Sequence, residues 1–269
     1  MYPDLLNIGP VQIHTYGLFV AMGFIVGLIV AVRMGKAGGF SPGRVLDMGF
    51  IIILWAIIGS RMAYVLLNIS YYRHHPLEIL KIWQGGLVFS GGLVFVVLAM
   101  LWYLRHHHLP FWKVGDLFAP AVSIGQAIGR MGCFMAGCCY GTPTDMPWGV
   151  VFTDPNTLAP RNIPLHPTQL YASVSGILIF AVLLVLKAKK KFEGQVFLWF
   201  LILHSTSRLL MERLRGDNRG LIPGTEMTLT QLMALIILLA GVAGLMIKSS
   251  RKPSDPQHPV TTTNTNGSS

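Results

Sequence analysis

The sequence predicts an all-α membrane protein: seven transmembrane helices, the N-terminus outside and the C-terminus cytoplasmic. Three observations lead there. Of 269 residues, 52% are hydrophobic and 12% charged, against about 25% charged in a soluble domain. The apolar residues run in blocks of roughly 20, the length that crosses about 30 Å of hydrocarbon as a helix. The 21 Lys and Arg, behind a net charge of +10, gather mostly in the connections, where they set topology or meet anionic lipid. A soluble enzyme is excluded, and no nucleic-acid partner is expected.

Span one, Tyr16–Met34, starts after MYPDLLNIGP, which lacks the basic region of a cleaved signal peptide. Span two, Val45–Asn68, follows a short turn carrying Lys36 and Arg44. Span three, Gly86–Leu104, is entered through GGLVFSGG, with Ser90 between glycine pairs. Spans four, Gly115–Ala136, and six, Gly194–Arg213, are the least hydrophobic. Span five, Thr168–Leu186, opens with Pro167 and Thr168, which suit a helix start. Span seven is Leu229–Ile247. With the N-terminus outside, Arg33, Lys36 and Arg44, then Arg105 and Lys113, then KAKKK at 187–191, then Lys248, Arg251 and Lys252 all fall inside. The outer connections hold fewer basic residues, as the positive-inside rule requires. Residues 1–250 form one membrane domain, and 251–269, PSDPQHPVTTTNTNGSS after Arg251-Lys252, form a disordered cytoplasmic tail. The long outer connections, Ile69–Gly85 and Gly137–Pro167, are expected to build small elements on the outer membrane surface.

An ionised side chain inside a span costs at least about 2.5–3.5 kcal/mol near the bilayer centre. Arg61, Arg130 and Arg208 nevertheless lie within spans two, four and six. All three spans run outward, which brings the three arginines to one depth near the outer headgroups. Guanidinium forks bind phosphate bidentately, so such a cluster suits an anionic phospholipid headgroup. The plainer alternative is that each arginine snorkels or pairs locally, as Arg208 would with Glu212 at i,i+4. Arg130 stands apart because Gly129 and Gly132 flank it and permit close approach of a ligand. Tyr16, Ser90, His166 and Gln169 reach the same level, and His204 lies one turn before Arg208. A lone histidine in an apolar helix is more often a packing residue. Asp47 and Asp116 sit at inner helix starts and read as structural.

The stretch GQAIGRMGCFMAGCCYG, 125–141, carries Arg130 and all 3 cysteines. Cys133, Cys138 and Cys139 admit metal ligation, redox pairing or packing in a tight turn. The C-x4-C-C spacing is not a standard zinc pattern, a vicinal disulfide is strained, and packing is favoured. No metal and no cofactor is expected. A transporter would need internal repeats or a polar path reaching the cytoplasmic side, and neither is visible.

Several pieces, taken together, resemble the phosphatidylglycerol–prolipoprotein diacylglyceryl transferases of bacterial inner membranes. They are Tyr16-Gly17, Gly59-Ser60-Arg61 with Tyr64, Gly85-Gly86 with Gly91-Gly92, GQAIGR ending at Arg130, HPTQLY from His166, and Arg208 with Glu212. The resemblance covers nearly the whole chain before the tail. It implies transfer of the diacylglyceryl group of phosphatidylglycerol to a lipobox cysteine in a prolipoprotein signal peptide, at a site facing the periplasmic leaflet. Under it, Arg130 and Arg208 carry catalysis, Arg130 binding the phosphate or glycerol portion of the lipid and Arg208 assisting the leaving phosphate. Tyr16, Arg61, Ser90, Gly129, Arg130 and Gln169 bind the phospholipid.

The chain departs from the family pattern in several places. Ser90 stands where a histidine is usual, Cys133 and Cys138 replace polar residues after the arginine, His204 replaces a tyrosine, and Ala172 follows HPTQLY in place of glutamate. Two readings follow. The chain is a divergent transferase, whose base is His204 or His166 or which uses no dedicated base. Or it is a paralogue that kept the phospholipid pocket with a different acceptor or without the transfer chemistry.

Overall fold

The computed structural model describes residues 4–8, 11–82, 85–217, 224–225 and 227–250. The tail expected to be disordered lies outside them. A short antiparallel ribbon, β1 (Asp4–Ile8) with β2 (Val11–His14), precedes α1 (Thr15–Ala37). Then come α2 (Pro42–Leu67), the single turn α3 (Ile69–Tyr72), a 3-10 turn (Pro76–Leu80), α4 (Phe89–His106) and α5 (Phe111–Ala136). A second ribbon pairs β3 (Val150–Val151) with β4 (Pro164–Leu165). The chain ends in α6 (Thr168–Ala188), α7 (Gln195–Glu212) and α8 (Leu229–Ser250). Each expected span is thus a helix, with ends displaced by up to four residues. Five of them, α1, α2, α4, α6 and α8, are long and apolar enough to cross a membrane. Their outward residues, such as Phe50, Leu66, Leu98 and Leu239, are large, apolar and exposed, as a lipid-facing surface requires.

Small residues set the helix packing. A Cβ on Gly23 of α1 would stand 2.5 Å from the Gly125 carbonyl oxygen of α5. One turn on, a Cβ on Gly27 would stand 2.9 Å from the carbonyl oxygen of Ala121. The two backbones therefore touch directly, the small-x-x-x-small geometry of packed membrane helices. Gly59 of α2 and Gly91 of α4 meet in the same way. Against α6, α5 adds hydrogen bonds: Ser173 Oγ donates to the Ala127 carbonyl at 2.8 Å, and Ser123 Oγ to that of Gly176 at 2.9 Å. The helix carrying Arg130 is thus fixed on two sides by backbone-level contacts.

The two ends of the bundle differ in chemistry. At the end where α1 finishes and α2 and α5 begin, Ala31, Met34, Val45, Met48, Tyr103, Val114 and Leu117 form a dry core. Asp116, 3% exposed, lies in this region one turn into α5. It does not cap its own helix as expected. Its Oδ2 accepts from the Gly194 N–H at 2.8 Å and Lys190 Nζ at 3.1 Å, and its Oδ1 from the Phe197 N–H at 2.9 Å. A carboxylate on one helix thereby supplies the N-terminal cap that Gly194 cannot offer α7. At the other end, residues 137–167 fold over Phe152, Ala159 and Leu165 as a small cap beyond α5.

Candidate functional site

A cleft opens between α5, α6 and α7 at the end away from the dry core. It holds about 540 Å³ of empty space including its mouth, and Gln126, Arg130, Cys139, Gln169, His204 and Arg208 are among its lining residues. Thr168, Ser175, Ser207 and Arg215 also contribute to the wall.

Each side chain arrives for a local reason. Arg130 is in the penultimate turn of α5, and its Nη1 lies 3.8 Å from Cys139 Sγ. The helix ends at Gly137, whose φ of +72° is the left-handed cap that reverses the chain. That reversal returns Cys138 and Cys139 toward the helix they follow. The start of α6 then clamps the turn: Thr168 Oγ1 donates to the Cys139 carbonyl at 2.7 Å and Gln169 Nε2 to the Cys138 carbonyl at 2.8 Å. Gln169 is 1% exposed, and its Oε1 has no hydrogen-bond partner among the described residues.

From α7 come His204, stacked on Phe200 with ring centroids 5.4 Å apart, and Arg208. Arg208 Nη2 lies 2.7 Å from Glu212 Oε2. Glu212 Oε1 accepts from Thr228 Oγ1 at 3.0 Å, which ties the pair to the approach to α8. Just past α7, Arg215 grips Asp217 with two hydrogen bonds of 2.7 Å. Asp217, together with Cys139, holds the Arg215 guanidinium firmly charged despite its burial. Hydrogen bonding from Cys133 and Cys138, then Arg215, holds the Cys139 thiol below its ordinary range, while Cys138 is pushed up by its bonds to Cys133 and Cys139.

Of the residues singled out from sequence, Arg130, Arg208, His204 and Gln169 come together in the cleft. Gly129, one residue before Arg130, has open space where a Cβ would stand. The others lie elsewhere. Tyr16 is 45% exposed at the start of α1, its backbone packed beside Gly132. Ser90 is exposed in the first turn of α4. His166 belongs to the cap, with Nδ1 3.3 Å from the Tyr171 hydroxyl, which itself accepts from Trp148 Nε1 at 2.7 Å.

The geometry turns Arg61 away from the headgroup role expected of it. It is 7% exposed, and its Nε donates to the Ile79 carbonyl at 2.9 Å. Nη2 donates to the carbonyl of Glu78 at 2.6 Å, and Nη1 to those of Gly85 and Gly86 at 2.8 and 3.2 Å. Tyr64 and Tyr72 cover the guanidinium face, 5.7 and 5.5 Å away. Arg61 braces the connection between α2 and α4.

Sequence reasoning missed Gln126, Ser207 and Arg215. Gln126 was within reach, since it precedes Arg130 by one turn on the same helix face. Arg215 carried no signal, because it is the backbone pairing of 214–216 with 140–142 that holds that segment at the cleft.

The family model described as Prolipoprotein diacylglyceryl transferase matches residues 3–247. The chain is 33% identical over 252 residues to the phosphatidylglycerol–prolipoprotein diacylglyceryl transferase of Clostridium tetani, covering 94% of this chain and 100% of that one. It is 36% identical over 247 residues to the protein of the same name from Finegoldia magna, covering 90% and 93% of the two chains. With that of Bordetella parapertussis it shares 36% identity over 258 residues, 94% of this chain and 97% of the relative.

Proposed function

The chain belongs to the prolipoprotein diacylglyceryl transferase family, and we propose that the cleft between Arg130 and Arg208 is where its chemistry occurs. The reaction moves the diacylglyceryl group of phosphatidylglycerol to a prolipoprotein, where the acceptor is the thiol of a lipobox cysteine. The observation that carries this assignment is the convergence in one cleft of three guanidiniums (Arg130, Arg208 and Arg215), an imidazole and a buried amide oxygen without a partner among the described residues.

The chemistry follows from these groups. Arg130 and Arg208 bind the phosphodiester, and Glu212 orients Arg208 through its 2.7 Å contact. The Oε1 of Gln169 accepts a hydroxyl of the headgroup glycerol. The acceptor sulfur attacks the glycerol carbon that carries the phosphate ester. An S–C bond forms as the C–O bond breaks, and glycerol phosphate leaves with the electron pair. Charge grows on that phosphate in the transition state, where pre-placed guanidiniums contribute most. His204 lies in the cleft and takes the thiol proton, whereas His166 is held in the cap by Tyr171. Tyr16 stands at the outer end of α1, on the path of an arriving headgroup.

In this reading α1, α2 and α4 to α8 are seven spans of the bacterial inner membrane, with the N-terminus outside and the C-terminus cytoplasmic. The cleft then faces the periplasmic leaflet. The dry core between Ala31 and Leu117 speaks against a polar path to the cytoplasm. The reading is tested with the full chain in phosphatidylglycerol liposomes and a lipobox peptide. A thioether-linked diacylglyceryl peptide and released glycerol phosphate are expected, and bound lipid with neither product would contradict it.

A further inference from the structure

The Sγ atoms of Cys133, Cys138 and Cys139 all lie within 4.8 Å of one another. We propose that these thiols form a zinc site whose fourth position, beside Arg130, takes the acceptor thiolate. The proposal rests on the transferase reading above and goes beyond it, because it assigns the activation of the nucleophile. It also replaces the packing role that the sequence favoured for these cysteines in a tight turn.

A zinc ion held by thiolates at about 2.3 Å in a tetrahedron sets its sulfurs roughly 3.8 Å apart. The observed limit of 4.8 Å is within a side-chain rotation of that separation. None of the three cysteines is in a disulfide. Linear spacing hid the site because two of the ligands are adjacent residues in a reversing turn. Cys139 has a φ of +62°, a left-handed conformation that a non-glycine residue adopts only when its surroundings enforce it. Here the enforcement is visible, since Thr168 and Gln169 hold the carbonyls of Cys139 and Cys138. The sulfur-bearing backbone is therefore rigid before any ion arrives, which limits the ordering cost of binding.

The charge balance also fits. Three thiolates and a divalent ion carry a net charge of about −1. Arg130 lies 3.8 Å from Cys139 Sγ, and Arg215 also bonds to Cys139. No fourth His, Cys, Asp or Glu joins the group among the described residues. Three protein ligands and one open position is the pattern of catalytic rather than structural zinc. Cys139 lines the cleft, so the open position adjoins the phosphate bound by Arg130. An acceptor thiol entering there binds the ion as thiolate, its proton passing to His204. The bound sulfur then attacks the glycerol carbon, the C–O bond breaks and glycerol phosphate departs. The ion returns to its three-thiolate state, with no change of oxidation state anywhere.

The test uses the full chain, purified reduced and stripped of metal with a chelator, then titrated with Co²⁺ as a spectroscopic substitute for Zn²⁺. One ion per chain is expected, with thiolate-to-cobalt charge-transfer absorption and the visible bands of a tetrahedral site. A lipobox peptide should shift those bands, and the same peptide with serine for cysteine should not. Cys138→Ser and Cys139→Ser should each abolish the charge-transfer absorption. Because the wild-type titration needs no variant to fold, absence of stoichiometric cobalt binding by the reduced wild-type chain overturns the proposal. Unchanged bands in both variants overturn it as well. Failure of the transferase reading is read separately. Arg130→Ala should keep the cobalt spectrum and lose transfer. If Cys138→Ser and Cys139→Ser transfer at the wild-type rate while Arg130→Ala does not, the zinc site is refuted and the transferase reading stands.

Discussion

Gln169 donates from Nε2 to the Cys138 carbonyl at 2.8 Å and leaves its Oε1 buried without a partner among the described residues. A buried acceptor left unsatisfied costs about 1–3 kcal/mol, so the arrangement makes sense if a ligand completes it. Gln169→Leu should raise KM for phosphatidylglycerol by roughly two- to tenfold, the range of a neutral hydrogen bond. Steady-state kinetics with lipid concentration varied would check this. An unchanged KM would remove the headgroup contact.

Arg61 should behave as a brace and not as a ligand. Its donors are spent on the carbonyls of Glu78, Ile79, Gly85 and Gly86. Arg61→Met should destabilise the protein by about 2–4 kcal/mol, as loss of a buried charged network does. Limited proteolysis would then cut within 69–82 at protease levels the wild-type chain survives. A variant with normal protease resistance and a raised KM would instead put Arg61 back among the lipid ligands.

The α1–α5 contact should tolerate no added methyl. In Gly23→Ala the new carbon meets the Gly125 carbonyl oxygen at 2.5 Å, and overpacking of this kind costs about 1–3 kcal/mol. Thermal unfolding in detergent should show a lowered midpoint. Gly17→Ala, on the same helix but with nothing within 4 Å of the new carbon, is the control and should leave the midpoint in place.

Asp116→Ala should separate stability from chemistry. It removes the acceptor for the Gly194 and Phe197 N–H groups and for Lys190. Loss of the cap alone costs roughly 0.5–2 kcal/mol. The unfolding midpoint should fall, while KM for lipid stays unchanged at a temperature where the variant is folded.

These contrasts follow the line between what was legible in the sequence and what was not. Long apolar blocks dictate helices, so the position of every long helix could be read directly. Arg130 and Arg208, singled out as charges within apolar stretches, both reach the cleft with His204 and Gln169. Side-chain saturation could not be read. Arg61 looks like Arg130 in sequence, yet its guanidinium is consumed by carbonyls that a separate connection brings to it. Asp116 looks like a cap for its own helix, but the acceptor it needs to be is for α7, 78 residues further along at Gly194. The β1–β2 ribbon lay in a segment read only for its lack of a signal-peptide charge pattern. The cysteines were judged by linear spacing, whereas their convergence depends on a left-handed residue in a turn held from α6. In each case the missing information was a contact between distant segments, which local pattern does not encode.

The central claim is that Arg130 binds the departing phosphate. The most direct test compares Arg130→Ala with the wild-type chain in phosphatidylglycerol liposomes, following thioether formation on a lipobox peptide. Removing one donor to a developing anion lowers turnover about 100- to 1000-fold, and a loss of at least that size is expected, with the fold intact by thermal unfolding. Wild-type turnover by a folded Arg130→Ala protein would contradict the account.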